Sequence, residues 1–462
     1  MVRVPPKKAD LLLTNVRMLF RGAIIESGFA IKDGLILKIG KESQLPPAEL
    51  KVDGKGNLVL PGAIDVHVHL RDQMLAYKET FETGTAAAIA GGVTTVLDMP
   101  NNRPPTNTIH NLRERMQTAQ GRIYCNVGFY AAPNRESNQT ALLLKEGVFG
   151  LKVNMLKPIG QPLTNAQTRR SMQEVSKRHK VVIFHAEDGA KVRSLEKTLK
   201  RARKASYDDF LRAHPPSSEI SATQGALSHA KVTGCSSHIA HVSCAASLRK
   251  ILAEKENGVH VTSEVTPHHL LLDAKELAKL KGLGIMTPPL RSSTDRGALW
   301  KALAAGDIEI CASDHAPHSW SEKSSENVWD ISPGVSGLDI FMPILITHAQ
   351  SFEISLQRLA EATSQNPAEI FGVSNRGLLE RGFQADFIII DTKVRTRVDA
   401  DEFKSKAKFS PFEGWPLTAS IVSTYLNGVC VFSGGEIIRK PSGSVLRSFR
   451  DNAEIPSRQH AG

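Results

Sequence analysis

Pro61-Gly62-Ala63-Ile64-Asp65-Val66-His67-Val68-His69-Leu70-Arg71 is the stretch on which the reading of this chain turns. Its apolar, β-branched run predicts a buried strand. Side chains alternate faces along a strand, so His67 and His69 project from one side. Two neutral imidazoles converging at a strand end make half of a divalent metal site, with zinc the first ion to consider. Taken alone, the pair reads equally well as two polar histidines at a strand end. The strands that follow decide between the two.

Downstream the pattern is strand, loop, helix, repeated. Eight short apolar runs stand out, at 63–69, 94–99, 124–130, 150–153, 181–185, 237–241, 260–265 and 308–313. Segments of helical periodicity separate them, at 80–90, 109–118, 221–231 and 246–256. Eight such units predict an α/β fold, a (β/α)8 barrel over 61–375 whose active site lies at the C-terminal strand ends. Residues 1–60 and 376–446 read differently, as short strands with hairpin signals at Asp33-Gly34 and Asn427-Gly428. They predict one small β-sandwich assembled from both flanks, followed by a polar, frayed tail over 447–462.

Bulk composition excludes more than it assigns. The 462 residues allow a large core, and 41% hydrophobic with 23% charged residues is ordinary for a globular protein. No apolar run approaches the length needed to span a bilayer, and no signal-peptide core follows the basic start. The five cysteines are odd in number and unpaired in spacing, which predicts free thiols and a cytoplasmic location. The net charge of +11 is spread along the chain. Its densest run, 197–204, reads as a solvated helix face, so neither nucleic acid nor membrane is expected as a partner. Such a surface would draw in small anions.

Each predicted strand end offers a possible active-site group. The first carries His67, His69 and Arg71; the second Asp98, Asn101 and Asn102; the fourth Lys152; the fifth His185; the sixth His241; the eighth Asp314, with His315 and His318 beyond. Any one alone is unremarkable, but four histidines, an aspartate and a lysine in phase with eight strands describe a metal constellation. A cationic amine does not sit beside metal ions unless its charge is removed. Lys152 converted by carbon dioxide to a carbamate would be an anionic ligand able to bridge two ions; the alternative is a lysine paired with a carboxylate.

These residues lie in segments that resemble the cyclic amidohydrolases of the amidohydrolase superfamily, the dihydroorotase branch most of all. The matching segments include the opening stretch, Lys78-Glu-Thr-Phe-Glu-Thr-Gly-Thr, Asp98-Met-Pro-Asn-Asn, Gly150-Leu-Lys, His185-Ala-Glu-Asp, Ile239-Ala-His-Val-Ser, Glu264-Val-Thr-Pro-His-His-Leu, Pro288-Pro-Leu-Arg and Ala312-Ser-Asp-His-Ala-Pro-His. The resemblance implies a zinc enzyme closing N-carbamoyl-L-aspartate reversibly to dihydroorotate in pyrimidine biosynthesis. It implies that His67, His69 and Asp314 hold one ion, His185 and His241 a second, and carboxylated Lys152 bridges them. A hydroxide between the ions would be the nucleophile, with Asp314 as general acid and base. His69, Arg71, Asn101 and His318 would meet the substrate, the last three gripping its carboxylate, while backbone at Pro333 and Gly334 would meet its ring. A homodimer, and association with aspartate carbamoyltransferase, are further implications.

Arg71 carries a physical argument of its own. Hydantoinases and dihydropyrimidinases share the metal site, but their substrates carry no ring carboxylate. A guanidinium on the strand face of the two histidines suits a bidentate carboxylate clamp. Two departures stand against the family pattern: Asp72-Gln73-Met74 replaces Glu-Pro-Gly, and Thr287 replaces an asparagine that contacts substrate in the family. Thr287 favours the alternative, another cyclic amidohydrolase such as an allantoinase, hydantoinase or dihydropyrimidinase. A non-catalytic scaffold relative would be expected to lack ligands that are all present here. His238 lies an odd number of residues from His241 and is expected to face the opposite side. His268 and His269 are expected to support the site structurally. Loops 154–163 and 319–333 are expected to be mobile.

Overall fold

The opening stretch forms the strand Ala63–Val68, the first of eight parallel strands in a computed structural model that describes residues 8–449. The others are Val93–Asp98, Asn126–Phe129, Gly150–Asn154, Val181–His185, Ser237–Ile239, Val261–Val265 and Ile310–Cys311. Strands one to three pair in order, as do four to eight. The two arcs meet through parallel bridges at Ala131–Leu151 and Val68–His315. Backbone bonds reinforce both seams: Lys152 N to Ala131 O, and His69 N to His315 O, each 2.8 Å. The ring is thus a barrel, with helices such as Phe81–Ala90, Ile109–Ala119, Pro216–Thr233 and Ala245–Glu256 between strands.

Two local irregularities aim the site. Ile64 and Val66 pack into the interior cluster with Leu97, Ile183 and Ala312, whereas Val68 and Leu70 pack outward toward the helices. The inward phase therefore changes along the first strand, where its pairing with the second shifts register between Asp65 and Val68. That bulge is what brings His67 and His69 inward. On the sixth strand, His238 shares the inward phase of Ala240, and a regular continuation would send His241 outward. The strand ends at Ile239, and His241 adopts φ +37°, so it too turns inward. The expectation that His238 faces away from the site is corrected accordingly.

The flanking segments form one nine-stranded sheet, in the order Glu436–Ile437, Val429–Ser433, Ser420–Leu426, Phe387–Asp391, Leu58–Pro61, Ala9–Phe20, Ala23–Lys32, Leu35–Gly40, with Ala48–Asp53 on Ala9–Phe20. Phe29 and Phe387 lie three strands apart in that order, yet their ring centroids are 5.0 Å apart. Flat neighbours at about 4.8 Å spacing would hold them roughly 14 Å apart, so the sheet curls onto itself around a sandwich core. Both expected hairpins are present, Lys32 opposite Leu35 and Leu426 opposite Val429, with positive φ at both turn residues.

The C-terminal segment departs from expectation. Beyond the sandwich it returns to the barrel, where Val445 pairs in parallel with Val127 of the third strand. Ser448 N donates to Gly147 O (2.8 Å), and Arg447 pairs with Glu146 at 3.1 Å. The start of the expected tail is therefore pinned; residues 450–462 lie outside the described residues. All five cysteines are free, and no described helix is long and apolar enough to cross a membrane.

One buried ion pair ties the barrel wall to the loop after the first strand. Arg115, 1 % exposed, donates from Nε to Asp98 Oδ2 (2.7 Å) and from a terminal nitrogen to Arg71 O (2.9 Å). Asp98 Oδ1 accepts from Leu70 N at 2.9 Å. Arg115→Met leaves Asp98 buried without its partner, so a loss of about 3–5 kcal/mol of stability is expected, read by urea unfolding; a change below about 1 kcal/mol would refute this role.

Candidate active site

Ligand atoms of His67, His69 and Asp314 all lie within 4.8 Å of one another at the C-terminal mouth of the barrel. Asp314 Oδ1 is 3.3 Å from His67 Nε2 and 3.2 Å from His69 Nε2. Lys152 Nζ is 3.4 Å from His67 Nε2. His241 stacks obliquely near both histidine groups, its ring centroid 5.1 Å from that of His67 and 4.5 Å from that of His185. All six expected ligands thus converge, with three in tight contact and Lys152, His185 and His241 beside them.

The imidazoles of His67, His69 and His185 are each oriented by a second group, which fixes the nitrogen left for an ion. Asn101 Oδ1 takes His69 Nδ1 at 2.7 Å, so this expected substrate contact also aims a ligand. Glu187 Oε2 takes His185 Nε2 at 2.8 Å, and its other oxygen takes His214 Nδ1 at 2.9 Å. Glu264 does the most. One oxygen pairs with His67 Nδ1 and accepts from His241 N, and the other pairs with His238 Nε2 at 3.1 Å. His67 Nε2 and His69 Nε2 then face Asp314, while His241 Nδ1 is buried with no partner among the described residues. An imidazole, imidazole and carboxylate donor set with Lys152 alongside fits a divalent cation such as zinc.

Electrostatics support deprotonated ligands. Burial alone would raise Asp314, but His67, His69 and His241 outweigh it and hold the carboxyl well below the usual range. Burial pulls His69 down to about 4, against the pull of Asp314. Burial likewise keeps His241 neutral, helped by His185, and lowers Lys152 to about 8 against Glu264 and Asp314. Asp314, His241 and Arg71 all carry positive φ, strain of a kind that gathers at functional sites.

On the far side of this centre stands a cationic wall. Arg71 is buried and held by Nε to Pro317 O (3.2 Å), with a terminal nitrogen 3.4 Å from His318 Nε2. Burial lowers its guanidinium only to about 10, so it stays charged. His318 Nε2 meets Pro333 O at 3.1 Å and its Nδ1 meets Lys78 Nζ at 3.1 Å. Burial, then Arg71 and Lys78, keep that imidazole neutral. Lys78 pairs with Glu322 at 2.6 Å. Its segment was visible in the sequence, but only the fold brings it beside His318. A cavity of about 620 Å³ opens beside His318, lined by Lys78, Trp320 and Phe409 among others. A smaller one of about 200 Å³ lies between Lys152 and the loop at 154–163.

Other expectations resolve individually. Thr287 is half-buried and its side chain has no hydrogen-bond partner among the described residues. His269 supports the neighbouring loop, linking Thr266 Oγ1 at 2.8 Å and Pro288 O at 3.0 Å. His268 does not do so through Nε2, which is buried without a partner. The segment expected as a mobile loop at 319–333 carries the helix Trp320–Lys323 and a short 3-10 turn at Val328–Asp330. His238 and Glu264 were missed as supports because their importance lies in contacts between strands distant in sequence, and Glu187, two residues beyond His185, because only the fold brings its second partner His214 to it.

A parallel barrel with two histidines and an aspartate converging at its strand ends can hold a divalent cation. Residues 58–431 match the amidohydrolase family, and the chain belongs to that family. It is 34% identical over 462 residues to the dihydroorotase of Methanosarcina acetivorans, covering 96% of this chain and 98% of the relative. The dihydroorotase of Pyrococcus abyssi is 35% identical over 437 residues, covering 94% and 98%. Among solved structures, L-hydantoinase from Arthrobacter aurescens superposes with a TM-score of 0.92 at 28% identity, covering 95% of this chain and all of that one.

Glu264→Gln removes the charge that orients His67 and His238. A fall of about 10–100-fold in affinity for a divalent cation is expected, read by competition with a chelating dye. Unchanged affinity would show that Glu264 serves packing alone.

Proposed function

We propose that this chain is a dihydroorotase, interconverting N-carbamoyl-L-aspartate and dihydroorotate with release or uptake of water. The observation that carries the reading is the placement of the charged Arg71 guanidinium, with the neutral His318 imidazole against it, beside the His67–His69–Asp314 centre. The dihydroorotase relatives support it over nearly the whole chain.

On this reading His67, His69, Asp314, His185 and His241 would hold zinc, with N6-carboxylated Lys152 as a further ligand. Bound cations supply a more acidic water and polarise the amide carbonyl. The remaining work belongs to the chain. Arg71, the Asn101 amide and His318 grip the ring carboxylate, setting the scissile carbonyl against Asp314. Asp314, held deprotonated, accepts the proton of the attacking water. The water oxygen bonds to the carbonyl carbon, the carbon–nitrogen bond breaks, and Asp314 returns the proton to the leaving ring nitrogen. Ring closure runs these steps in reverse. Backbone at Pro333 and Gly334, with Thr287, completes the substrate wall. The family resemblance adds a cytoplasmic homodimer working beside aspartate carbamoyltransferase.

The likeness to L-hydantoinase favours a second reading, the same chemistry on a ring without a carboxylate. Ring opening of L-dihydroorotate and of dihydrouracil by metal-replete protein separates the two. Strong preference for dihydroorotate is expected, and Arg71→Ala should lower its kcat/KM by at least about thirtyfold, equivalent to about 2 kcal/mol of lost clamp. Dihydrouracil turnover that is faster and indifferent to Arg71→Ala would move the protein to the second reading.

A further inference from the structure

Lys323 is a buried cation outside the hydrolytic centre, at the end of the four-residue helix Trp320–Lys323. Its Nζ donates to three backbone carbonyls: Ile285 O at 3.0 Å, Ser332 O at 3.0 Å and Gly334 O at 2.8 Å. Only the ammonium form has three N–H groups to give. Burial presses its pKa down to about 7, with Glu322 opposing, while the three carbonyl dipoles favour the charged form.

The three acceptors are not scattered. Ser332 and Gly334 flank Pro333, and in an extended segment alternate carbonyls point to opposite sides. Lys323 holds the two flanking carbonyls from one side, and the carbonyl between them meets His318 Nε2 from another. Ile285 O, the third acceptor, also takes Gly334 N at 2.9 Å and lies two residues before Thr287. The segment has no slack elsewhere. Gly334 sits at φ +152°, where an added Cβ would come within 2.5 Å of Ala316 O and 3.1 Å of the His318 ring. One ammonium therefore joins the segment leading to Thr287, the Pro333–Gly334 wall and, through the Pro333 carbonyl, the orientation of His318. The preceding residue, Glu322, reaches the other way, to Lys78 at 2.6 Å and His318 Nδ1 at 3.6 Å.

We infer that Lys323 is a positioning residue for substrate selectivity: by fixing the carbonyls on either side of Pro333 it holds His318 and the Pro333–Gly334 wall in the geometry that accepts a ring carboxylate. The inference rests on the function proposed above. Lys323 touches neither the hydrolytic centre nor the expected position of the scissile bond, so its loss should be felt in binding of the carboxylated ring more than in turnover.

Steady-state kinetics of metal-replete wild type, Lys323→Met and Lys323→Gln test it, using L-dihydroorotate and dihydrouracil, with bound metal and unfolding midpoint measured on the same samples. For Lys323→Met, KM for dihydroorotate should rise about tenfold or more, the effect of losing roughly one buried hydrogen bond's worth of order in the wall. Expected alongside are a kcat within about threefold of wild type, unchanged metal content, and a matching fall in preference over dihydrouracil. Lys323→Gln, keeping two donors, should fall between. Where Lys323→Met does not fold, Gly334→Ala displaces the same segment from its opposite side and should give the same split. An unchanged KM, an equal loss on both substrates, or a kcat that falls with metal content overturns the inference while leaving the proposed function standing. Wild type that opens dihydrouracil but no dihydroorotate overturns both.

Discussion

Beneath the hydrolytic centre a single carboxylate, that of Glu264, is shared among His67 Nδ1, His238 Nε2 and the backbone of His241. It sits on the seventh strand and reaches the first and the sixth, so three parts of the ring are locked by one buried charge. Burial disfavours that charge, and His67 and His238 hold it ionised well below the ordinary carboxyl range. Without a negative group there, His67 would have no fixed tautomer and His241 no reason to hold its strained backbone. The two halves of the ligand set meet because they answer to the same two oxygens.

The segments around Arg71 and Pro333 are held on a similar plan with the opposite sign. Arg115 and Lys323 are buried cations that hold backbone: Arg115 donates to the carbonyl of Arg71 as well as to the Asp98 carboxylate, and Lys323 donates to the carbonyls of Ile285, Ser332 and Gly334. The backbone of Arg71 and the segment around Pro333 are thus held by buried charges. Loops at the mouth of a barrel vary readily in conformation. Here they are fastened from below by charge-assisted bonds, each stronger than a neutral one.

Much of this was readable in the chain beforehand, for identifiable reasons. Val181–His185 forms over the span expected because its run is apolar and sharply bounded. The hairpins at Asp33-Gly34 and Asn427-Gly428 announce themselves because few other residue pairs tolerate two positive φ values. The convergence of His67, His69 and Asp314 was legible since imidazole and carboxylate recur at successive strand ends. What escaped was whatever depends on distant contacts. Ala48–Asp53 carries three charged residues and is mostly exposed, so nothing in its pattern marks a strand. The bulge after Asp65 and the positive φ of His241 are imposed by neighbouring strands, and the simple alternation rule gave His238 the wrong face. Lys78 and Lys323 look like surface lysines until the fold encloses them.

The return of the chain to the barrel has a bearing on how the molecule is made. Ser444 N donates to Asn126 Oδ1 across 318 residues of sequence, and Val445 lies against Val127. The partner strand emerges from the ribosome first, and the segment that covers it follows 318 residues later. Contacts closing so long a loop form slowly, and an unpaired strand edge left waiting is a place where other chains can add. During synthesis, then, the start of the third strand, at Asn126 and Val127, lacks its cover on that side until residues 444 and 445 arrive, while Phe129 and Ala131 already meet the fourth strand.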